Sequence, residues 1–281
     1  MQSFCCVVKI MKKGTIRYLR PPAIEGLEIQ EVINSNHSFP NHTHGFHSVG
    51  VMEAGGCYCR QPGSGSSFVR GGEIALFNPG LVHSGVITDS DTRITYRVFS
   101  FDNQLFEKAL RDLNENDGLP EFRSVVTKDK LTSGTLTELN YAASGLKSRL
   151  AVDTALARAA AALLTRHCET QSKVPKTKEP LAVKKARDYL GANLSEKVSL
   201  EELAQATGLS RYHLLRVFRE ATGLPPHSYH LQLRIEHAKK LLRSGMPFAE
   251  TALQSGFSDQ SHFTNTFRRY TGATPTQYTN I

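Results

Sequence analysis

The sequence has few cysteines and no long apolar run, and both features exclude classes of protein. Its cysteines number five, an odd count without the spacing of zinc ligands, and lie at positions 5, 6, 57, 59 and 168. We therefore expect reduced thiols instead of a disulfide framework. No stretch reaches the roughly eighteen consecutive apolar residues of a membrane-spanning helix, and the amino terminus lacks the pattern of a signal peptide. These absences predict a cytoplasmic protein without a membrane anchor.

What the chain does contain is the composition of a globular protein with an excess of positive charge. It has 281 residues, of which 40% are hydrophobic and 21% are charged, and this length favours about two domains. The net charge of +8 is uneven: residues from 176 onward hold 15 Lys and Arg against 9 Asp and Glu, whereas residues 1–175 hold 19 against 17. We therefore expect the carboxy-terminal third to meet phosphate groups.

One motif occurs twice between residues 198 and 278. Gly208 and Gly256, each followed by an apolar residue and a serine, are 48 residues apart, whereas Phe218 and Phe267 are 49 apart. The slip of one residue falls just after a turn, where an insertion is tolerated. A repeat of this period indicates repeated architecture, here two copies of a helix, a tight turn and a second helix.

The first copy has the signals that begin and end short helices. Ser199 and Glu202 form a capping box, Gly208 ends the first helix, and Ser210 caps the second. The second copy follows the same scheme with a matched glycine and cap. On the second helix of the first copy, Leu214 and Phe218 are four residues apart, so this shared face is predicted to be core.

The second helix of each copy also has a polar and basic outer face. This face comprises Tyr212, Leu215, Arg216 and Arg219 in the first copy, and Ser261, Thr264, Asn265 and Arg268 in the second. Two ordinary helical hairpins with solvated faces would show such residues too. The duplication, the matched glycines and the basic charge favour helix-turn-helix motifs, whose second helix enters the DNA major groove.

The second copy resembles the signature of the AraC/XylS family of transcription regulators. The resemblance rests on Gly-Phe-Ser-Asp-Gln-Ser-His-Phe at 256–263 with Phe267, Arg268, Gly272 and Pro275, and on Arg234, Ala238, Leu241 and Leu242 of the joining helix. It covers the last hundred residues or so closely, and the rest of the chain only in layout. It implies a homodimeric, non-enzymatic regulator, favours an activator, and implies promoter DNA and RNA polymerase as partners.

Side-chain chemistry assigns roles on the outer faces. Arg216 is the predicted base reader because a guanidinium pairs bidentately with guanine, and stacking or thymine-methyl contacts are expected of Arg211, Tyr212 and Leu215. In the second copy the predicted readers are Gln260, Ser261, Thr264 and Asn265, although the family often has a longer basic side chain at the place of Asn265. The predicted phosphate anchors, near helix ends, are Arg219, Arg268 and Arg269. We expect Arg234 to form a structural ion pair.

The first hundred residues have a different texture, with short alternating or apolar runs between turn residues. The predicted strands are Leu27–Ile33, Ser48–Met52, Gly56–Cys59, Glu73–Phe77, Ser84–Ile87 and Ile94–Phe101. Glycine, proline and aspartate recur between them at short spacing. This pattern predicts a small antiparallel barrel or sandwich.

Three histidines of this region resemble the two short motifs of the cupin barrel, in which such side chains converge. They are His42, His44 and His83. They could hold a metal ion, or they could be the metal-free polar lining of a small-molecule pocket. The glutamate usual in the first motif is missing, so we expect no metal and no cofactor. Further predicted pocket walls are Phe46, His47 and Tyr58.

Residues 102–169 change to a helical period, with predicted helices at 131–146 and 150–167. They either pair two subunits, as the resemblance implies, or only cover the barrel. Residues 170–180, polar and basic with two prolines, predict a linker. The expected domains are therefore a sensor barrel at 1–101, a helical extension at 102–169, the linker, and a DNA-binding domain at 181–281.

Together these features predict an α+β chain, in which a cupin-like antiparallel β-barrel with a helical extension precedes an all-α domain with two helix-turn-helix motifs. The leading hypothesis is a transcription regulator controlled by a small molecule bound in the barrel. The alternative is a metal-dependent cupin enzyme fused to a DNA-binding domain. A DNA-alkylation sensor would need a cluster of reactive cysteines near the DNA, and this hypothesis is set aside because no cysteine follows Cys168.

Overall fold

The computed structural model describes residues 14–22, 24–63, 65–89, 91–112, 120–144, 149–169 and 180–280. Its strands are β1 (Thr15–Leu19), β2 (Leu27–Ser35), β3 (Phe39–His42), β4 (His47–Ala54), β5 (Gly56–Gln61), β6 (Gly65–Arg70), β7 (Ile74–Phe77), β8 (His83–Val86), β9 (Ile94–Phe101), β10 (Glu121–Phe122), β11 (Val126–Thr127) and β12 (Cys168–Glu169). Its helices are α1 (Asn103–Asp112), α2 (Lys130–Ser144), α3 (Arg149–His167), α4 (Leu181–Ala192), α5 (Leu200–Thr207), α6 (Arg211–Thr222), α7 (Pro226–Arg243), α8 (Phe248–Gln254), α9 (Gln260–Thr271) and α10 (Pro275–Thr279). The predicted linker lies almost wholly outside the described residues.

The amino-terminal half is built on two antiparallel sheets. One has the strand order β1-β2-β9-β4-β7-β11, and the other has the order β3-β8-β5-β6. Alternation explains the long strands: Leu27 and Ile29 of β2 are buried on one face, while Glu28 and Gln30 are on the other face and are half-buried. The six predicted strands are all present, and the structure adds β1, β3 and β6 as well as the two-residue strands β10, β11 and β12, which the pattern of residues did not indicate.

Helices α2 and α3 pack on the larger sheet. Leu136 and Leu139 of α2 and Leu163 of α3 are fully buried in the same core as Phe99 and Phe101 of β9. The alanines of α3 let the two helices approach each other closely. The predicted helices at 131–146 and 150–167 are therefore confirmed, each within two residues at either end.

The carboxy-terminal half is all helical, and its two helix-turn-helix units have separate cores. Leu214 and Phe218 are fully buried in the first unit, as predicted, against Leu203 of α5 and Val183 of α4. The predicted capping box of Ser199 and Glu202 is present, and Gly208 has a left-handed φ of 71°. Apolar periodicity and capping chemistry thus account for the helices of this unit.

The cap of α9, the second helix of the second copy, differs from the predicted match. Ser258 corresponds to Ser210 in the Gly-apolar-Ser motif, but the cap of α9 is Asp259, whose carboxylate accepts from the backbone N–H of His262 at 2.7 Å. The Ser258 hydroxyl instead donates to Asp259 at 3.0 Å. The inserted residue therefore lies between the turn and the helix, which explains the change of spacing from 48 to 49.

Arg234 of α7 has a structural role, but the predicted ion pair was wrong. Its guanidinium donates to the carbonyl oxygens of Leu194 at 2.8 Å, Gly256 at 2.9 Å and Glu196 at 2.6 Å. Among the described residues these carbonyls, and not a carboxylate, are its partners. Because Leu194 and Glu196 precede α5 and Gly256 follows α8, Arg234 ties the two helix-turn-helix units together.

The second unit also packs against the β-sheet half. Tyr18 of β1 is buried in the same core as Phe267 and Tyr278, and its hydroxyl donates to the carbonyl of Thr271 at 2.8 Å. The Tyr278 hydroxyl in turn donates to the Glu28 carboxylate at 3.1 Å. The two halves therefore share a core and a hydrogen-bond network. None of the described helices is long and apolar enough to cross a membrane.

Candidate functional site: recognition helices and an interdomain cavity

Helix α6 presents basic side chains to solvent. Arg211, Arg216 and Arg219 are exposed, while Leu215 is half-buried. Arg211 forms an ion pair with Glu201 of α5 at 3.3 Å, but Arg216 and Arg219 have no ion-pair partner among the described residues. Tyr212 lies on the same helix, and its side chain is outside the described part of the structure. Two guanidinium groups of α6 are therefore available to an external acceptor.

Helix α9 has a more neutral outer face. Five of its predicted contact residues are exposed and one, Thr264, is half-buried; the exposed ones are Gln260, Ser261, Asn265, Arg268 and Arg269. Phe263 and Phe267 on the opposite face are fully buried. This arrangement leaves amide and hydroxyl groups outward near the amino-terminal end of α9, and the arginines near its carboxy-terminal end.

A cavity of about 130 Å³ lies between the sheets and the joining helix α7. Its walls come from both halves of the chain, with Gln232, Ile235, Glu236 and Lys239 on the α7 side. A second cavity of about 100 Å³ is lined mostly by apolar residues of the strands, such as Met52. The two cavities have six wall residues in common, namely Phe39, Gly50, Phe77, His83, Tyr96 and Val98. They adjoin each other, so the space has a polar end at α7 and an apolar end inside the sheets.

Three histidines line the polar end. His42 of β3 pairs in register with His83 of β8, and His44 follows the end of β3. The ring centroids are 4.3 Å apart for His42 and His83, 4.9 Å for His44 and His83, and 5.8 Å for His42 and His44. Burial lowers the pKa of all three imidazoles, that of His83 to about 3. The three rings are therefore neutral at pH 7.

The α7 wall places a buried ion pair and an amide beside these rings. Lys239 donates to Glu236 at 2.7 Å. Burial opposes the charge of Lys239, but Glu236, Tyr278 and Glu28 outweigh it and raise the pKa of this ammonium above its ordinary range. Gln232 bonds both polar groups of the Thr43 backbone: its carbonyl accepts from the N–H at 3.0 Å, and its amide donates to the C=O. The α7 wall of the cavity thus carries a cation, an anion and an amide beside the three histidines.

Two of the predicted pocket residues lie elsewhere. His47 of β4 faces the other core, where its Nε2 bonds the carbonyl of Pro120 at 2.8 Å and its ring stacks on Phe106. Tyr58 is on the outer face of β5, 36% exposed and against Phe68. Neither lines the cavities, whereas the other predicted wall, Phe46, does. Alternation along the strands explains this, because the side chains of His47 and Tyr58 lie on the faces of β4 and β5 that are turned away from the cavities.

The α7 residues of the cavity were missed by sequence reasoning. Gln232 is buried, and Glu236 and Lys239 follow it at helical spacing on the same side of α7. The one signal in the sequence was their helical spacing, which places three polar side chains along one side of a helix that also has to pack in a core. Without the fold, nothing pairs that stripe with the histidines of β3 and β8.

The donor set of the cavity is compatible with a transition-metal ion. One ring nitrogen from each of His42, His44 and His83 lies within 4.8 Å of the others. Three imidazoles with an open position are a known arrangement for zinc, and imidazole also suits copper, iron and nickel. The predicted absence of a metal was based on a missing carboxylate, which a three-histidine site does not need.

Comparisons with known proteins agree with this architecture. Residues 26–167 match the family described as "AraC-like ligand binding domain", and residues 203–281 match a helix-turn-helix domain family. The HTH-type transcriptional regulator YbfI of Bacillus subtilis is 35% identical over 229 residues, covering 80% of this chain and 81% of YbfI. The transcriptional activator RhaR of Escherichia coli is 31% identical over 120 residues, covering 42% of this chain and 43% of RhaR.

Among solved structures, ToxT from Vibrio cholerae has a similar fold. It aligns with a TM-score of 0.54 and 13% identity over 96% of this chain and 98% of that chain. The structural likeness therefore spans both halves of the molecule.

Proposed function

Because the chain belongs to the AraC family of transcription regulators, we propose that a small molecule in the interdomain cavity controls how its two recognition helices bind promoter DNA. The observation that carries this proposal is the shared wall of the cavity: β3 and β8 supply one side, and the joining helix α7 supplies the other. A ligand that changes this wall acts directly on the helix between the two helix-turn-helix units. No enzymatic step is needed for such control.

The two recognition helices would enter successive major grooves on one face of the duplex. Such grooves are roughly 34 Å apart, and α7 and Arg234 fix the separation of α6 and α9. Arg216 is the proposed guanine reader of α6 because it is exposed and free of an ion pair with any described residue. The remaining proposed contacts are Arg211, Tyr212, Leu215 and Arg219 on α6, and Gln260, Ser261, Thr264, Asn265, Arg268 and Arg269 on α9.

The kind of ligand that we propose follows from the chemistry of the cavity. The polar end offers His42, His44, His83 and the Lys239–Glu236 pair, and the other end is apolar. The hydroxyl of Thr43 is buried without a hydrogen-bond partner among the described residues. A compact molecule with one hydrogen-bonding end and one apolar end fits these walls. Its differential affinity for two domain arrangements would set the response.

The finer features of the proposal concern partners and boundaries. Activation through RNA polymerase is supported by relatives whose names describe them as activators. Homodimer formation through α2 and α3 is supported by exposed apolar side chains there, Leu131 and Leu150. We propose a cytoplasmic protein with the domains 1–101, 102–169 and 181–281 and a linker at 170–180.

Selection of bound DNA from a random library by the purified full chain tests this function. We expect a bipartite site with half-elements about one helical turn apart. Arg216→Ala should then lose roughly 1–3 kcal/mol of preference for that site over random DNA, whereas Arg219→Ala should weaken both and reduce the salt dependence. An unchanged preference in Arg216→Ala would reject Arg216 as a base reader, and the absence of any selected sequence would reject the function.

A further inference from the structure

The three cavity histidines share one local hydrogen-bond pattern. The Nδ1 atom of His42 lies 2.8 Å from the carbonyl oxygen of Pro40, that of His44 lies 3.3 Å from Phe46, and that of His83 lies 3.0 Å from Leu81. A carbonyl oxygen only accepts, so each Nδ1 must carry the proton. In a neutral ring this leaves the lone pair on Nε2. All three rings are therefore held in the tautomer that binds metal through Nε2.

Neighbouring rings fix the orientation of two of these histidines. Phe77 stacks on His83 with centroids 3.8 Å apart and an angle of 11° between the planes, and Phe46 stacks on His44 at 4.6 Å and 7°. One ring nitrogen of each histidine lies within 4.8 Å of one ring nitrogen of each of the other two. Ligands of a tetrahedral zinc ion at about 2.0–2.1 Å would be roughly 3.3 Å apart. Closure onto an ion therefore requires these ring nitrogens to move closer together.

One direct connection between this cluster and the DNA-binding half runs through Thr43. Thr43 stands between His42 and His44, and Gln232 of α7 bonds both its N–H and its C=O. Gln232 is only 8% exposed. Any movement that brings His42 and His44 together therefore moves the peptide groups that Gln232 holds.

We propose that His42, His44 and His83 bind one divalent transition-metal ion such as Zn²⁺ through Nε2, and that the Thr43–Gln232 hydrogen bonds transmit its binding to helix α7. The regulatory effect of the metal rests on the proposed function, because the metal ion is an effector at the polar end of the same cavity. An ion fixes the Thr43 peptide groups in place, so the metal-bound chain holds α7 more firmly against the sheets.

The metal arm of the test uses the untagged full chain after dialysis against a chelator. Titration with Zn²⁺ in competition with a chromophoric chelator should give one site per chain, and Co²⁺ should give the intense visible absorption of a tetrahedral site. His44→Gln should weaken this binding by at least ~10–100-fold. His37→Gln is the matched control, because His37 is near the cavities but outside the cluster, and it should bind as the parent does. Circular dichroism shows that the variants fold.

The coupling arm uses Gln232→Leu. This variant should bind Zn²⁺ within a few-fold of the parent, but it should lose the metal-induced slowing of amide hydrogen exchange in α7. Zinc binding that His44→Gln leaves unchanged, or no binding in the parent, overturns the metal site. Equal slowing in Gln232→Leu and the parent overturns the coupling. If the parent selects a bipartite DNA site but binds no metal, the inference fails while the proposed function stands. If the parent binds zinc but selects no DNA, the metal site stands while the proposed function fails.

Discussion

The two turn glycines provide a matched pair of substitutions, Gly208→Ala and Gly256→Ala. They occupy equivalent positions in the two repeats and have nearly the same left-handed backbone, with φ of 71° and 76°. They differ in their surroundings. A Cβ at Gly208 would meet nothing within 4 Å, whereas one at Gly256 would overlap the carbonyl oxygen of Leu194 and lie 2.9 Å from Cζ of Arg234.

The expected free energies of unfolding follow from this difference. Both alanines bear the cost of a left-handed conformation, about 1–2 kcal/mol. Only Gly256→Ala adds steric overlap, which costs about 1–3 kcal/mol in a packed site, because Arg234 must shift away from its three carbonyl partners. We expect Gly208→Ala to destabilise the helical half by about 1–2 kcal/mol and Gly256→Ala by about 2–5 kcal/mol.

Urea unfolding of the full chain, followed by circular dichroism at a helix wavelength, measures both values. Amide hydrogen exchange then locates the loss: it should fall on α8 and α9 for Gly256→Ala, and on α5 and α6 for Gly208→Ala. Equal destabilisation by the two substitutions, within about 0.5 kcal/mol, would refute the role given to Arg234 as the tie between the repeats.

Three further substitutions test other parts of the structure. Ser199→Ala removes the capping box of α5 and should lower the free energy of unfolding by about 1 kcal/mol in the same urea assay. Burial lowers the pKa of His230 to about 4, below its unfolded value near 6.5. Stability from its neutral ring is therefore present above about pH 6.5 and lost as the pH falls towards 4. His230→Gln keeps a donor for the Asn193 carbonyl and should flatten this pH dependence of the urea midpoint. Tyr278→Phe loses the hydrogen bond to the Glu28 carboxylate and should cost about 1.5–3 kcal/mol; hydrogen exchange of α10 no faster than in the parent would contradict the contact.

Local signals predicted the helical repeats because the caps and the apolar spacing of each unit lie within its own helices and turns. Gly208 and Ser210 act within a few residues of their partners, and Phe218 follows Leu214 at helical spacing, so spacing alone identifies them. The interface between the halves could not be found in this way. Tyr18 and Thr271 are 253 residues apart, and the short strand that carries Tyr18 has no distinctive pattern. Gln232 likewise has a partner only once the sheets and α7 are in contact.

The ends of both recognition helices meet the same part of the β-sheet half. A Cβ at Gly223, which ends α6, would lie 2.7 Å from Val82, and one at Gly272, which ends α9, would lie 3.1 Å from Phe39. Val82 directly precedes His83, and Phe39 is itself a wall of the cavity. A ligand that shifts β3 and β8 therefore pushes on the carboxy-terminal ends of both helices at once, away from the side chains proposed to read bases. We expect such a ligand to change the relative placement of the two recognition helices, and hence the spacing of DNA half-elements that the protein tolerates, instead of altering the base preference of either helix.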